Sequence, residues 1–203
     1  MKTRHLTLIL LLSIAALLPA CSNNNDNDVT QGEPAVKIMP LAISNEWDFN
    51  VVRVDSLGDT IQSLAQSMVI IGDTTVSGVT WYEYRMGFNQ ESGPFPMMAS
   101  KADGLWAKGP DSTDLPYLLA KYPASVGDTW KNADETDTFY VEAVDLSVTV
   151  PAGSYDCIKY AIHRPDGDST HSYFSPGVGL VKQTFFATDG SQVRTELKSV
   201  TLN

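Results

Sequence analysis

The C-terminal half of this chain is a succession of short segments in which β-branched and aromatic residues alternate with polar ones. Turn residues separate these segments, as at Pro165-Asp166-Gly167-Asp168 and Asp189-Gly190. Asp-Gly pairs favour tight hairpin turns because both residues tolerate the backbone angles that such turns require. The pattern predicts an antiparallel sheet with strands over 138–146, 148–150, 155–164, 169–174, 178–187 and 192–202.

The N-terminal half shows the same period of two with less regularity. Trp47, Phe49 and Val51 alternate on one face, and Val52 and Val54 then shift to the other, which predicts a strand with a bulge. Further strands are predicted over 60–71 and 80–88, with a turn at residues 72–73 between them. A short hairpin is predicted around residues 103–104, an Asp-Gly pair.

One segment, residues 111–122, has a helical pattern instead. Thr113 or Asp114 can cap a helix, Pro116 suits its first turn, and leucines recur at helical spacing at 115, 118 and 119. The fold class predicted from the whole pattern is therefore mainly β, an antiparallel barrel, half-barrel or sandwich with one short helix. A single β-rich domain is predicted over residues 39–203.

The N-terminus has the pattern of an export signal. Lys2 and Arg4 precede an apolar run that ends at Leu18, and this run is too short for the about 20 residues that a membrane-spanning helix needs. Leu18-Pro19-Ala20-Cys21 resembles the bacterial lipobox, although Pro19 departs from the small residue usual at that position. The resemblance implies cleavage after residue 20 and acylation of Cys21, and Ser22 is similar to the outer-membrane sorting pattern.

We therefore predict a signal peptide over residues 1–20, a lipid anchor at Cys21 and an attachment to the outer membrane, on its periplasmic or its surface-exposed face. Residues 21–38 are rich in Asn, Asp, Gln, Gly and Pro without an apolar period. Such a composition predicts a flexible tether.

The charge of the chain disfavours anionic partners. It has 24 acidic and 14 basic residues, and loss of residues 1–20 would remove Lys2 and Arg4 but no acid. An excess of carboxylates repels nucleic acid, so no nucleic-acid partner is predicted. Acylation of Cys21 would leave Cys157 as a single thiol, so no internal disulfide is predicted, and Cys157 is expected in the core.

Residue types that carry chemistry do not form a recognisable active site in this sequence. His163 lies six residues from Cys157 on one predicted strand, about 20 Å away, which is too far for a Cys-His nucleophile. His171 is expected opposite residues 162–164, where His163, His171 and Asp166 could hold zinc. Because the turn already explains Asp166, we predict no metal. No recognisable active site is present in the sequence, so we also predict no cofactor and no catalytic residue.

Two tryptophans are candidate ligand-binding residues. Trp81 faces away from the tyrosines beside it on the predicted strand, and Trp106 lies beside a turn. Aromatic side chains line ligand cavities, although they also fill ordinary β cores. The sequence thus predicts a possible ligand contact at Trp81 and Trp106.

Two blocks, Val150 to Cys157 and Tyr173 to Lys182, resemble a pattern in uncharacterised cell-envelope lipoproteins of Bacteroidota type. The resemblance implies a fold and no catalytic residue. Our hypothesis is a lipid-anchored, non-enzymatic binding or assembly module for an apolar ligand or another envelope protein. The comparison with lipoprotein-carrier proteins, which hold a ligand in an open β-barrel, is an analogy of fold alone. The alternatives are an envelope hydrolase that acts on glycan through paired carboxylates, and a purely structural envelope lipoprotein.

Overall fold

The computed structural model describes residues 36–87, 95–111, 113–132 and 134–203. These ranges contain twelve strands and no helix. The strands are β1 (Glu46–Val54), β2 (Thr60–Val76), β3 (Val79–Met86), β4 (Met97–Lys101), β5 (Gly104–Lys108), β6 (Tyr117–Lys121), β7 (Thr129–Lys131), β8 (Thr138–Val150), β9 (Gly153–His163), β10 (Ser169–Ser175), β11 (Gly179–Phe186) and β12 (Gln192–Thr201). Within the described ranges, no helix has the length and apolar character needed to cross a membrane.

All twelve strands belong to one antiparallel sheet in the order β6-β5-β4-β3-β2-β1-β12-β11-β10-β9-β8-β7. Each strand pairs with its neighbours in sequence, with two exceptions. The first and last strands pair with each other in the middle of the sheet, where Glu46 lies opposite Thr201. The consecutive strands β6 and β7 instead form the two opposite edges. The predicted fold class, mainly β and antiparallel, is confirmed; of the three predicted forms, the sheet is half-barrel-like or sandwich-like and is not closed into a barrel.

The core begins on β1, where the predicted alternation is confirmed. Trp47, Phe49 and Val51 are buried on one face of this central strand. The indole N–H of Trp47 donates to the backbone carbonyl of Val178, 2.7 Å away, in the loop that leads to β11. This bond satisfies the polar group of a completely buried tryptophan, as its burial requires. It also brings the Trp47 side chain of β1 into contact with the β10–β11 turn.

The two edges of the sheet meet through side chains. From β7, the indole N–H of Trp130 donates to the Leu118 carbonyl of β6 at 2.8 Å. From β9, the phenol O–H of Tyr160 donates to the Lys121 carbonyl of β6 at 2.7 Å. We call these two hydrogen bonds the seam. They occupy two backbone acceptors of the edge strand β6 and link it through side chains to strands at the opposite end of the sheet.

The predicted helix over 111–122 is wrong. Residues 117–121 form the edge strand β6, in which Tyr117 pairs with Ala107 and Lys121 with Gly104. The leucine spacing covered a single turn of helix only, and Leu115 is 66% exposed. Tyr117 and Leu119 both line the same cavity, so the apolar period of this segment is two. Burial against the sheet therefore outweighs the local helical signals.

The predicted turn at residues 72–73 is also wrong. The strand β2 continues to Val76, with a register shift between Ile70 and Gly72. The reversal lies at Ser77 and Gly78, which both have positive φ. Two consecutive residues of this kind make the hairpin turn that matches the twist of antiparallel strands. The short edge strand β7 was not predicted, because three residues are too few to show a period.

Candidate functional site

The inner face of the curved sheet encloses an apolar cavity of about 180 Å³. Four methionines line it: Met39 from the segment before β1, Met68 from β2, Met86 from β3 and Met98 from β4. We call it the methionine cleft. The thioether side chain is flexible and polarizable, so methionine-rich surfaces adapt to apolar ligands of different shapes.

Strand pairing explains why these residues meet. Met68 lies directly opposite Met86 across β2 and β3. On the neighbouring strand β4, Met98 lies opposite Tyr82 of β3 on one side and opposite Ala107 of β5 on the other. Directly opposed residues point to the same face of a sheet, so the methionines and Ala107 form one continuous patch. The small side chain of Ala107 leaves part of the space that the cleft occupies.

Three tyrosines supply the rest of the aromatic wall, namely Tyr84, Tyr117 and Tyr160. Burial, and secondarily Tyr117, raises the pKa of Tyr84 to about 12. Burial also raises the pKa of Tyr117, with a smaller contribution from the carboxylate of Asp137. Burial is likewise the main cause of the raised pKa of Tyr160. All three phenols are therefore neutral at physiological pH.

The polar side chains of the cleft satisfy each other. The Gln183 amide on β11 donates to the Ser172 hydroxyl on β10 at 3.0 Å. None of the described lining residues is an Asp, Glu, Lys, Arg or His. A concave apolar surface with few polar groups, already paired, is suited to an apolar ligand.

The structure brings Trp81 and Trp106 together, on the face opposite the cleft. On β3, Trp81 precedes Tyr82, which lies opposite Met98. On β5, Trp106 lies opposite Ala99, the residue after Met98 on β4. Because successive side chains alternate between faces, both tryptophans point away from the face of Met98. The Lys101 ammonium lies 3.7 Å from the centre of the Trp106 ring and 5.3 Å from that of Trp81. The indole N–H of Trp106 donates to Asp103 at 2.8 Å. A ligand contact at this pair remains a prediction, separate from the cleft.

Two carboxylates of described residues, Asp114 and Asp134, line a second and more polar cavity of about 410 Å³. Both already stabilise turns. Asp114 accepts the backbone N–H of Asp111 at 2.9 Å. Asp134 accepts the hydroxyl of Thr136 at 2.7 Å, and this bond lowers the pKa of Asp134. Each carboxylate is thus already engaged in a local turn, and the glycan-hydrolase alternative remains a prediction.

Cys157 is buried, as predicted, and burial raises its pKa to about 11. The two histidines are placed differently from the prediction, because His171 pairs with Ala161 instead of residues 162–164. His163 contacts Tyr140, and His171 contacts Phe186, each with ring centres about 5 Å apart. Among the described residues, no group of three His, Cys, Asp or Glu side chains could hold a metal ion.

The sequence carries part of the signal for the cleft. Tyr82, Tyr84 and Met86 alternate along one strand, and Met97 and Met98 precede the hairpin turn at residues 103–104. Their convergence depends on the pairing of β3 with β4 and on the curvature of the sheet, which sequence patterns do not specify. Cys21, the predicted lipidation site, lies outside the described residues, as do residues 1–35 in general.

No protein-family model and no curated protein sequence matches this chain. Several solved structures are similar to it, and two of them are described here. One is a predicted lipoprotein from Parabacteroides distasonis ATCC 8503, with 17% identity, a TM-score of 0.50, and coverage of 82% of this chain and 99% of that protein. The other is a predicted exported protein with a YmcC-like fold from Bacteroides fragilis NCTC 9343, with 11% identity, a TM-score of 0.53, and coverage of 83% and 100%. At these identities, the similarity establishes the fold alone.

Proposed function

We propose that this protein is a lipid-anchored envelope protein that binds an apolar ligand in the methionine cleft. The observation that carries the proposal is an apolar concave surface inside the half-barrel, lined by four methionines and three neutral tyrosines. Burial of apolar ligand surface contributes about 25 cal/mol per Å² before the costs of association. Such a site needs no catalytic residue, in agreement with the absence of recognised catalytic motifs in the sequence.

The anchoring part of the proposal rests on the sequence. The lipobox-like segment ending at Cys21 supports acylation, and several acyl chains together make a lasting attachment. The fold shared with a predicted lipoprotein and a predicted exported protein supports a location in the envelope. Attachment to the outer membrane in particular follows from the resemblance of Ser22 to a sorting signal.

The ligand-binding part can be tested with Met86→Trp. Met86 lines the cleft and is 42% exposed, so a larger side chain at this position would fill the mouth of the cleft without overpacking the core. Native mass spectrometry of protein purified from membranes should show a co-purifying apolar species on the wild type. We expect this species to be lost from Met86→Trp.

The matched control is Leu64→Trp. Leu64 lies on β2, is 39% exposed and does not line the cleft. We expect this variant to retain the ligand, with thermal stability equal to that of Met86→Trp. Wild-type protein that carries no apolar species, or a species retained equally by both variants, would remove the proposal.

A further inference from the structure

The methionine cleft contains most of the methionines of this chain. Six are present in the sequence, and five of them follow residue 35. Four of these five, Met39, Met68, Met86 and Met98, line the cleft. The fifth, Met97, directly precedes Met98 on β4, and successive side chains of a strand point to opposite faces. Met97 therefore lies on the outer face of the sheet and serves as a comparison for the other four.

The four methionines of the cleft differ in their access to water. Met39, Met68 and Met98 are 1%, 3% and 4% exposed, whereas Met86 is 42% exposed. A dissolved oxidant attacks the sulfur of a methionine that it can reach, and burial in a packed core protects the others. The cleft therefore has one methionine that is open to an oxidant in water and three that the fold shields.

The strand register explains why Met86 is the exposed one. Trp47 of β1 lies opposite Met68 of β2, and Met68 lies opposite Met86 of β3. Directly opposed residues share a face of the sheet, so the three side chains form one row. Exposure rises along this row, from the fully buried Trp47 to Met86. Met86 is thus the position at which the row from the core reaches water.

Oxidation of methionine changes an apolar side chain into a polar one. Its thioether becomes a sulfoxide, which is also chiral. With hydrogen peroxide, an S–O bond forms as the O–O bond breaks, and the second oxygen leaves as water. The sulfur is oxidised by two electrons, and the peroxide is reduced by the same two. Methionine sulfoxide reductases reverse this change with a dithiol, which is oxidised to a disulfide while the sulfoxide oxygen leaves as water.

We propose that Met86 is a reversible oxidation site at the mouth of the methionine cleft, and that formation of its sulfoxide releases the apolar ligand. The release step rests on the proposed function, whereas the oxidation site does not. In the envelope, the location proposed above, a protein meets oxidants that the reducing cytosol removes. The site would make occupancy of the cleft depend on those oxidants.

The apolar lining of the cleft explains why a sulfoxide at this position opposes binding. If the oxidised side chain keeps its place, its oxygen lies against an apolar ligand and loses hydrogen bonds to water, which is costly. If the side chain turns outward, its oxygen stays hydrated, but the cleft loses the contacts of Met86. The Gln183 amide of the lining is already used in its hydrogen bond to Ser172. Both positions of the oxidised side chain therefore weaken binding.

The oxidation site is tested by the rate at which each methionine reacts. The full chain in phosphatidylcholine nanodiscs is treated with dilute hydrogen peroxide, and the sulfoxide at each position is measured by peptide mass spectrometry over time. We expect Met86 to react at least about tenfold faster than Met39, Met68 and Met98 in the folded protein. In urea, all four should react at similar rates. Equal rates in the folded protein would overturn the proposal.

The release step is tested with a small apolar photoprobe, 3-phenyl-3-(trifluoromethyl)diazirine. A phenyl ring suits the cleft, whose volume is about 180 Å³, since a cavity of roughly 150 Å³ holds benzene in another protein. We expect labelling of cleft peptides to fall about fivefold to tenfold after peroxide treatment, while the circular dichroism spectrum stays unchanged. Treatment with the two sulfoxide reductases and a dithiol should restore the labelling.

Two variants assign the effect to Met86. In Met86→Leu, labelling before and after peroxide treatment should be equal, whatever its level, because leucine has no sulfur to oxidise. The matched control is Met97→Leu, which removes a methionine outside the cleft. This variant should lose labelling on treatment as the wild type does.

A loss of labelling in Met86→Leu as large as in the wild type would overturn the proposal and leave the proposed function standing. Labelling of the wild type that peroxide does not change would have the same meaning. Wild-type protein whose cleft is not labelled before any treatment would instead contradict the proposed function, and the release step with it.

Discussion

The seam predicts a measurable stability loss for Tyr160→Phe. Tyr160 is 1% exposed, and its hydroxyl is 2.7 Å from the Lys121 carbonyl. The substitution removes this donor but keeps the ring and its edge contacts with Trp130 and Phe174. A hydrogen bond contributes about 1 kcal/mol net, and a buried acceptor left unpaired costs about 1 to 3 kcal/mol. We therefore expect the free energy of unfolding to fall by about 1 to 3 kcal/mol.

Urea denaturation would measure this loss. With a slope of about 2 kcal/mol per M urea, the midpoint should shift down by about 0.5 to 1.5 M while the slope stays unchanged. Hydrogen exchange offers a local measurement, because amides of β6 and its partner β5 should exchange faster in the variant. Amides of the central strands β1 and β12 should lose protection only through the global change.

Tyr155→Phe is the control for the same chemical change. Its hydroxyl is 3.3 Å from the Ala152 carbonyl, and the residue is only half-buried, so water can replace the bond. We expect a loss below about 0.5 kcal/mol. If Tyr160→Phe costs no more than Tyr155→Phe, the edge of β6 is not held by the seam, and the reasoning is refuted. Trp130→Phe in combination with Tyr160→Phe would then show whether the two bonds act together.

Three further predictions concern other parts of the chain. Cys21→Ala should abolish incorporation of radiolabelled palmitate in growing cells, and a label that persists would contradict lipidation at this residue. Because burial raises the pKa of Cys157 to about 11, its thiol should not react with a disulfide reagent at pH 8 in the native state but should react in urea. The same pKa shift makes the free energy of unfolding depend on pH, because the thiol ionises at a lower pH in the unfolded chain than in the folded protein. The stabilising contribution of Cys157 is complete below its unfolded pKa and is lost as pH rises towards about 11. Urea titrations at increasing pH would detect this loss. Gly104→Ala should destabilise the protein by more than about 2 kcal/mol, because its new Cβ would lie 2.2 Å from the Ala120 carbonyl oxygen. Gly58→Ala, at a positive φ but with no atom within 4 Å, should cost only about 1 kcal/mol in the same denaturation assay.

Local sequence patterns predicted the strands well where side chains alternate clearly. The run from Trp47 to Val51 specified the buried face of β1, and the Asp-Gly turns at residues 166–167 and 189–190 specified the β9–β10 and β11–β12 hairpins. The helix predicted over 111–122 was wrong because the helical spacing is a local signal. The residues with which this segment pairs, Ala107 and Gly104, lie in another strand, β5.

The candidate site was harder to predict for the same physical reason. The methionine cleft depends on which strands are neighbours and on how far the sheet curves, and neither is encoded in a period of two. Trp81 and Trp106, the predicted ligand contacts, share a face that lies outside the cleft, and a ligand contact at this pair stays a prediction. The residues that line the cavity were visible as a strand face, while the cavity itself was not.

The pairing of β1 with β12 has a consequence for how the chain can be cut and rejoined. In the described part of the chain, the fold consists of two six-stranded meanders, β1–β6 and β7–β12, and the β1–β12 pairing is the one ladder that joins them. A circular permutant with new ends between Tyr122 and Asp128 would therefore have all twelve strands in spatial order. The start of β1 lies close to Asn203, since the neighbouring Asn45 donates to the Pro40 carbonyl and accepts the backbone N–H of Asn203. With a short linker from Asn203 to the start of β1, such a permutant makes the β1–β12 pairing local and the seam long-range. The β1–β12 hairpin should therefore form earlier in folding, with little change in structure.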